Sequence, residues 1–146
     1  MADKNIKGIK YRLDDENLTA EVIQKKGYEG DFIIPETVVL KKVAYRVTSI
    51  DVSAFSDCSS LTSIVIPDSV TSIGICAFSG CSSLTSIVIP DGVTSIGEYA
   101  FIGCKSLTSI TFQGTIAQWN EIDFGNRWND EVPAKFVLCT DGDVEI

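Results

Sequence analysis

From Val47 to Thr115 the apolar positions of this chain recur at a fixed period. Three units of 23 residues align without a gap: VTSIDVSAFSDCSSLTSIVIPDS (Val47–Ser69), VTSIGICAFSGCSSLTSIVIPDG (Val70–Gly92) and VTSIGEYAFIGCKSLTSITFQGT (Val93–Thr115). In the first unit the apolar side chains are Val47, Ile50, Phe55, Cys58, Leu61, Ile64 and Ile66, and apolar equivalents follow 23 and 46 residues on. A period of this length marks a solenoid, in which no unit can bury its own apolar edge and each buries it against its neighbours. Leu61, Ile64 and Ile66 have the spacing L-x-x-L-x-L, which predicts a short strand with Ile64 and Ile66 inward and Ser63 and Val65 outward. Pro67 has no N–H to donate and ends that strand; Asp68 and Ser69 supply a turn. Val70–Ile73 reads as a second short strand, and Ala77–Cys81 as one helical or 3₁₀ turn, too short to stand alone. Identical units place identical side chains in register, with strands about 4.8 Å apart. Phe55, Phe78 and Phe101 are therefore expected to form an aromatic column.

The flanks follow other patterns. FIIPETV (Phe32–Val38) repeats the apolar-x-apolar-Pro-acid frame of the later strands, and the nine-residue insertion VVLKKVAYR separates it from the first full unit. Ile9–Leu13 and Leu18–Gln24 alternate around a polar DDEN turn, which predicts a hairpin. At the other end Thr115 and Gln118 have capping-box spacing, so a helix is expected near Ile116–Glu121. Phe136–Cys139 and Asp143–Ile146 flank TDG, a tight-turn signal. The expected organisation is one solenoid domain over 1–146. Residues 1–46 form an N-terminal cap with a degenerate repeat, 47–69, 70–92 and 93–115 are full repeats, and 116–146 form a C-terminal cap.

The consensus VTSIGxxAFxxCxSLTSIxIPDx resembles the BspA-like leucine-rich repeat family of bacterial and protist surface proteins. Gly74, Ala77-Phe78, Cys81, Leu84 and Ile89-Pro90-Asp91 carry the resemblance, closely over 47–115 and loosely over 32–46. The first unit departs from it, with Asp51 where the others have Gly74 and Gly97. The resemblance implies a right-handed solenoid; joined to the residue patterns, the expected fold is a β-rich leucine-rich repeat solenoid with a β-hairpin N-cap and a helix-plus-hairpin C-cap. The resemblance also implies adhesion to host or cell-surface proteins, and a secreted or surface location. The N-terminal MADKNIKGIKYRLDDEN has no apolar stretch of the kind a signal peptide carries. The asparagine ladder of the wider leucine-rich repeat class is absent.

Charge narrows the range of partners. The net charge is −8, and residues 116–146 carry seven acids against two bases. Clustered cations of the kind that release counterions from nucleic acid are missing there and in the repeats, so no nucleic-acid partner is expected. Lys25, Lys26, Lys41, Lys42 and Arg46 are the local exception, and a solvated face accounts for them. No apolar run approaches the roughly 18–20 residues that span a bilayer, so membrane insertion is not expected.

Candidate chemistry is sparse. The chain contains no histidine, which removes Ser-His-Asp and Cys-His catalysis and most metal sites. Cys58, Cys81 and Cys104 share one repeat position, where parallel side chains disfavour a disulfide and buried thiols are expected. Cys76 sits at a variable, more exposed position. Asp141, Asp143 and Glu145 alternate along one strand face; weak calcium binding or a solvated edge that deters strand addition would each account for them. Trp119 and Trp128 are read as seals on the last repeat, with exposed anchors as the alternative. No cofactor, metal or catalytic residue is assigned. The leading reading is a non-enzymatic protein-binding or adhesion module that acts weakly or by avidity, or serves as a spacer. Its candidate strip is Ser63, Val65, Ser86, Val88, Ser109 and Thr111. The rival is carbohydrate binding, or carboxylate-dependent glycan processing, by the Trp/Asp/Glu-containing C-terminal segment.

Overall fold

A computed structural model describes residues 2–146, and the chain winds through it as a stack of coils between two sheets. The repeats set the geometry. β7 (Leu61–Val65), β9 (Ser86–Ile89) and β11 (Ser109–Phe112) lie parallel. Val65 pairs with Val88, and Ser86 through Ile89 pair with Ser109 through Phe112, so residues one period apart are direct neighbours. The second short strand of each coil does the same on the opposite side, where β6 (Val43–Ile50), β8 (Ser72–Ile73) and β10 (Ser95–Ile96) align Ile50, Ile73 and Ile96.

The segment between the strands is a run of tight turns. N–H groups of Ala77, Ser79 and Cys81 bond the carbonyls of Gly74, Cys76 and Phe78, three residues back. The alternate N–H groups, of Cys76, Phe78 and Gly80, bond Glu98, Ala100 and Ile102 of the next coil at 3.0, 2.8 and 2.8 Å. Left-handed φ values at Cys76 (56°) and Gly80 (74°) turn these donors outward and keep the segment from winding into a helix. A third ladder therefore binds the coils, and the backbone donors of the turn are satisfied across the stack.

Between the ladders lies one core. Phe55, Phe78 and Phe101 are fully buried and stack with centroids 5.2 Å apart and planes 1° and 3° from parallel. Tyr28 and Phe32 continue the column at the N-terminal end, and Trp128 closes it edge-on at the other. Gly74 and Gly97 sit where each coil crosses the backbone beneath: a Cβ at Gly97 would lie 2.5 Å from the Ile75 nitrogen. Asp51 escapes this constraint because β3 (Thr19–Val22) ends beneath it and the chain turns away, the Ile23 N–H bonding Lys10 O. Its carboxylate instead meets Arg12 at 3.0 Å.

The predicted N-terminal hairpin is formed by β2 (Ile9–Asp14) and β3, and β3 joins β6 in parallel. Unforeseen, β1 (Ala2–Ile6) extends it on the outer side. The degenerate repeat supplies β4 (Gly30–Ile33), which pairs with β7. The insertion is a second hairpin, in which β5 (Thr37–Leu40) lies against β6 around Lys41 and Lys42, both at positive φ.

At the C-terminal end the helix α1 (Ile116–Asn120) carries the expected capping box, Thr115 Oγ1 accepting from the Gln118 N–H while the Gln118 side chain accepts from Thr115 N–H. Beyond it a further coil is present that the period did not reveal. Ser95 pairs with Asp123 of β12 (Asp123–Phe124) and not with Gln118, the residue one period on, because the five residues of α1 are inserted between. Gly125 occupies the glycine position, and Arg127 and Glu131 repeat the left-handed φ values of Tyr99 and Gly103. β13 (Phe136–Cys139) adds to β11, and β14 (Gly142–Glu145) closes the sheet as its antiparallel edge. The six-stranded sheet thus runs β14-β13-β11-β9-β7-β4.

Candidate functional site

The strip read from the sequence lies on the outer face of the six-stranded sheet. Val65 pairs with Val88, and Val88 with Thr111; Ser86 pairs with Ser109 in the adjacent row. Ser63, Val65, Ser86, Val88, Ser109 and Thr111 are all exposed or half-buried. The flanking strands lengthen both rows. Ile33 of β4 pairs with Val65 and is 72% exposed, and Asp31 pairs with Ser63. At the far side Leu138 pairs with Thr111, and Phe136, 55% exposed, lies next to it along β13. One row therefore reads Ile33, Val65, Val88, Thr111, Leu138, and then Asp143 on the edge strand; Phe136 faces Glu145. Ile33, Phe136 and Leu138 were missed by sequence reasoning because they lie in the caps, outside the three full repeats. The alternation of FVLC was the available signal for Phe136 and Leu138, and the FIIP frame, which sets Ile33 where Val65 stands in IVIP, was the signal for Ile33.

Acid marks both ends of this apolar band. Asp31 Oδ1 accepts from Ser63 Oγ at 2.7 Å and Thr62 Oγ1 at 2.9 Å, and these bonds hold its carboxyl below the ordinary range. Asp143 and Glu145 stand exposed at the other end. Lys135, at the start of β13, is an exposed cation beside the band. Asp141 is occupied elsewhere: its Oδ1 accepts the Ile116 N–H at 2.8 Å, which ties the last hairpin to the start of α1. Among the described residues no group of three or more Cys, Asp or Glu side chains gathers into a metal-binding cluster.

The remaining candidates lie inside. Trp119 is 3% exposed and packs against Phe112, Phe124 and Trp128; Trp128 is half-buried against Phe101. Both rings seal the last coil. Cys58, Cys81 and Cys104 are buried free thiols, and Cys76 is half-exposed. Cys81 Sγ donates to Phe55 O and Cys104 Sγ to Phe78 O, each at 3.1 Å, so the thiols form a side-chain ladder to the coil below. The neighbouring Cys104 thiol and burial push the Cys81 thiol well above its ordinary range, which keeps it protonated and unreactive. Among the described residues no helix is long and apolar enough to cross a membrane.

Parallel strands in register, a conserved period and an inward L-x-x-L-x-L frame define a leucine-rich repeat β-solenoid. The chain belongs to the BspA-type leucine-rich repeat family: the family model described as BspA type Leucine rich repeat region matches residues 37–129, in 6 copies. Among solved structures it is similar to a leucine-rich repeat protein from Bacteroides capillosus, at 24% identity and TM-score 0.79 over 95% of this chain and 99% of that one. It is also similar to a leucine-rich repeat protein from Bacteroides ovatus, with 31% identity and TM-score 0.69 over 94% of this chain and 37% of that one. A leucine rich cell surface protein from Faecalibacterium prausnitzii matches at 23% identity and TM-score 0.66, over 97% of this chain and 43% of its own. No curated protein matches the sequence significantly.

Proposed function

We propose that this chain is a non-enzymatic protein-interaction module that contacts its partner through the outer face of the six-stranded sheet, in adhesion or as a link in a surface assembly. The observation that carries this is the exposed band from Ile33 through Val65 and Val88 to Leu138 and Phe136, apolar on every strand but β11, where Thr111 stands, and bounded by acids. Contiguous exposed apolar rows of this kind mark interaction surfaces. Most of its side chains are small, and Phe136 is the single aromatic anchor, so each contact is weak and several copies acting together supply the affinity. The named surface protein of Faecalibacterium prausnitzii, similar in fold, supports a surface setting.

The test is adhesion of beads coated with the chain at graded density to a panel of cell-surface and matrix proteins. The comparison is a triple variant, Val88→Arg, Ser109→Arg and Leu138→Arg, which leaves the core untouched. Capture that rises steeply with density and is lost in the variant is the expected result. Equal capture by both proteins removes the face from consideration.

A further inference from the structure

The two ends of the stack are finished differently. Trp119, Trp128 and α1 plug the C-terminal end. At the N-terminal end a cleft of about 340 Å³ opens between the β1–β2 hairpin and the β4–β5 segment, lined by Ile6, Ile9, Tyr11, Ile33, Val38 and Val39. Beside it runs the free edge of the six-stranded sheet, for β4 is the last strand in the order. Gly30 and Ile34 direct their N–H groups to Ser60 and Val65 on the β7 side. By the alternation of a strand, Asp31 and Ile33 therefore direct their backbone N–H and C=O groups to the open side. β4 carries none of the lysines or prolines that blunt an edge within its span; Pro35 follows it.

We propose that this edge accepts an extended segment of a different protein as an added β-strand, with a basic side chain beside Asp31 and an apolar side chain two residues away beside Ile33, entering the cleft. Main-chain bonds to an edge give affinity, and pockets for alternate side chains give specificity. Charge selects the occupant. The exposed Asp31 carboxylate has one oxygen, Oδ1, engaged by Ser63 and Thr62, and Oδ2 accepts no hydrogen bond from the described residues. A second copy stacked end to end would bring β14, with Asp143 and Glu145, against Asp31, and like charges across strands oppose pairing. Lys7 also lines the cleft, so an acidic or neutral residue suits the position beyond the apolar one. The site shares Asp31 and Ile33 with the end of the outer-face band, and the Val88/Ser109/Leu138 variant, which leaves both in place, separates failure of one reading from failure of the other.

Two labelled heptapeptides of opposite order, Thr-Lys-Thr-Ile-Thr-Glu-Thr and Thr-Glu-Thr-Ile-Thr-Lys-Thr, cover parallel and antiparallel addition; Thr-Glu-Thr-Ile-Thr-Glu-Thr is the acidic control. Fluorescence anisotropy against the full chain is expected to show one Lys-containing peptide binding below about 1 mM, roughly tenfold more tightly than the control, in proportion to a cross-strand charge reversal. Asp31→Lys, at an exposed position, is expected to reverse that preference with an unchanged circular dichroism spectrum. Ile33→Thr weakens all three peptides, and the Val88/Ser109/Leu138 variant binds as the parent does. Amide exchange is expected to slow at Asp31 and Ile33 on binding. Equal affinity for peptide and control, an unaltered preference in Asp31→Lys, or exchange unchanged at those two amides would overturn the proposal. Self-association by sedimentation that Asp31→Lys abolishes would overturn it too, by assigning the edge to a second copy.

Discussion

Phe78 stands at the centre of the molecule, and its truncation tests the stacking directly. The ring is fully buried and meets Phe55 on one face and Phe101 on the other, each at 5.2 Å and nearly parallel. Replacement by alanine removes the buried ring and leaves a cavity whose walls, held by three backbone ladders, have little freedom to close. Buried Phe-to-Ala changes cost about 3–5 kcal/mol, and the upper half of that range applies because two aromatic contacts of about 0.5–1.5 kcal/mol each are lost together. For a chain of this size that corresponds to a fall in melting temperature of roughly 8–20 °C. Urea unfolding followed by circular dichroism supplies the free energy, and Phe78→Leu, which refills most of the volume, should recover more than half of it. A loss under about 1 kcal/mol with an unchanged denaturant slope would refute the column, since a ring with ordinary, adjustable neighbours would be the only explanation.

Two further perturbations probe other parts of the stack. Gly97→Ala places a Cβ 2.5 Å from the Ile75 nitrogen and 2.6 Å from the Gly74 carbonyl carbon, backbone atoms that cannot rotate aside; a destabilisation of about 2–3 kcal/mol or more is expected in thermal melts. Gly92→Ala, with 3.3 Å to Asp68 O, is the tolerant control. Burial raises the phenols of Tyr11 and Tyr28, and the hydrogen bond to Asp15 raises Tyr45. A group whose pKa is higher in the folded state stabilises fully below its unfolded value, about 10 for tyrosine, and loses that contribution as pH rises through the folded value. Stability should therefore decline above about pH 10, and phenolate absorbance from these three residues should lag behind that of the urea-unfolded chain.

The repeat was readable because each of its rules is local. The L-x-x-L-x-L frame and the aromatic column follow from side chains meeting copies of themselves, and the proline stop and the capping box at Thr115 from bonds within a few residues; the structure places them as expected. The candidate strip was only partly readable, since its ends come from strands outside the full repeats. Ile33 sits in the degenerate FIIP frame, set off from the period by the insertion after it, and Leu138 joins the row from a strand that shares no motif with the repeats. The final coil was hidden for a different reason. The insertion of α1 breaks the period, and Trp128 fills by sheer size the space that a phenylalanine fills elsewhere. Asp51 in place of glycine, odd as sequence, is explained once the backbone beneath it is seen to turn away. The turn between strands was read as helical because its i to i+3 bonds are real; what sequence could not show is that every second amide reaches the neighbouring coil.

The hairpin at Lys41–Lys42 and the helix Ile116–Asn120 both interrupt the period, yet the strands on either side resume pairing as if nothing had intervened. Such corners are natural splice points. A foreign loop, an epitope or a whole small domain grafted at either place would project from the scaffold while the ladders beneath stayed joined, which gives an engineer two attachment sites at opposite ends of a rigid rod.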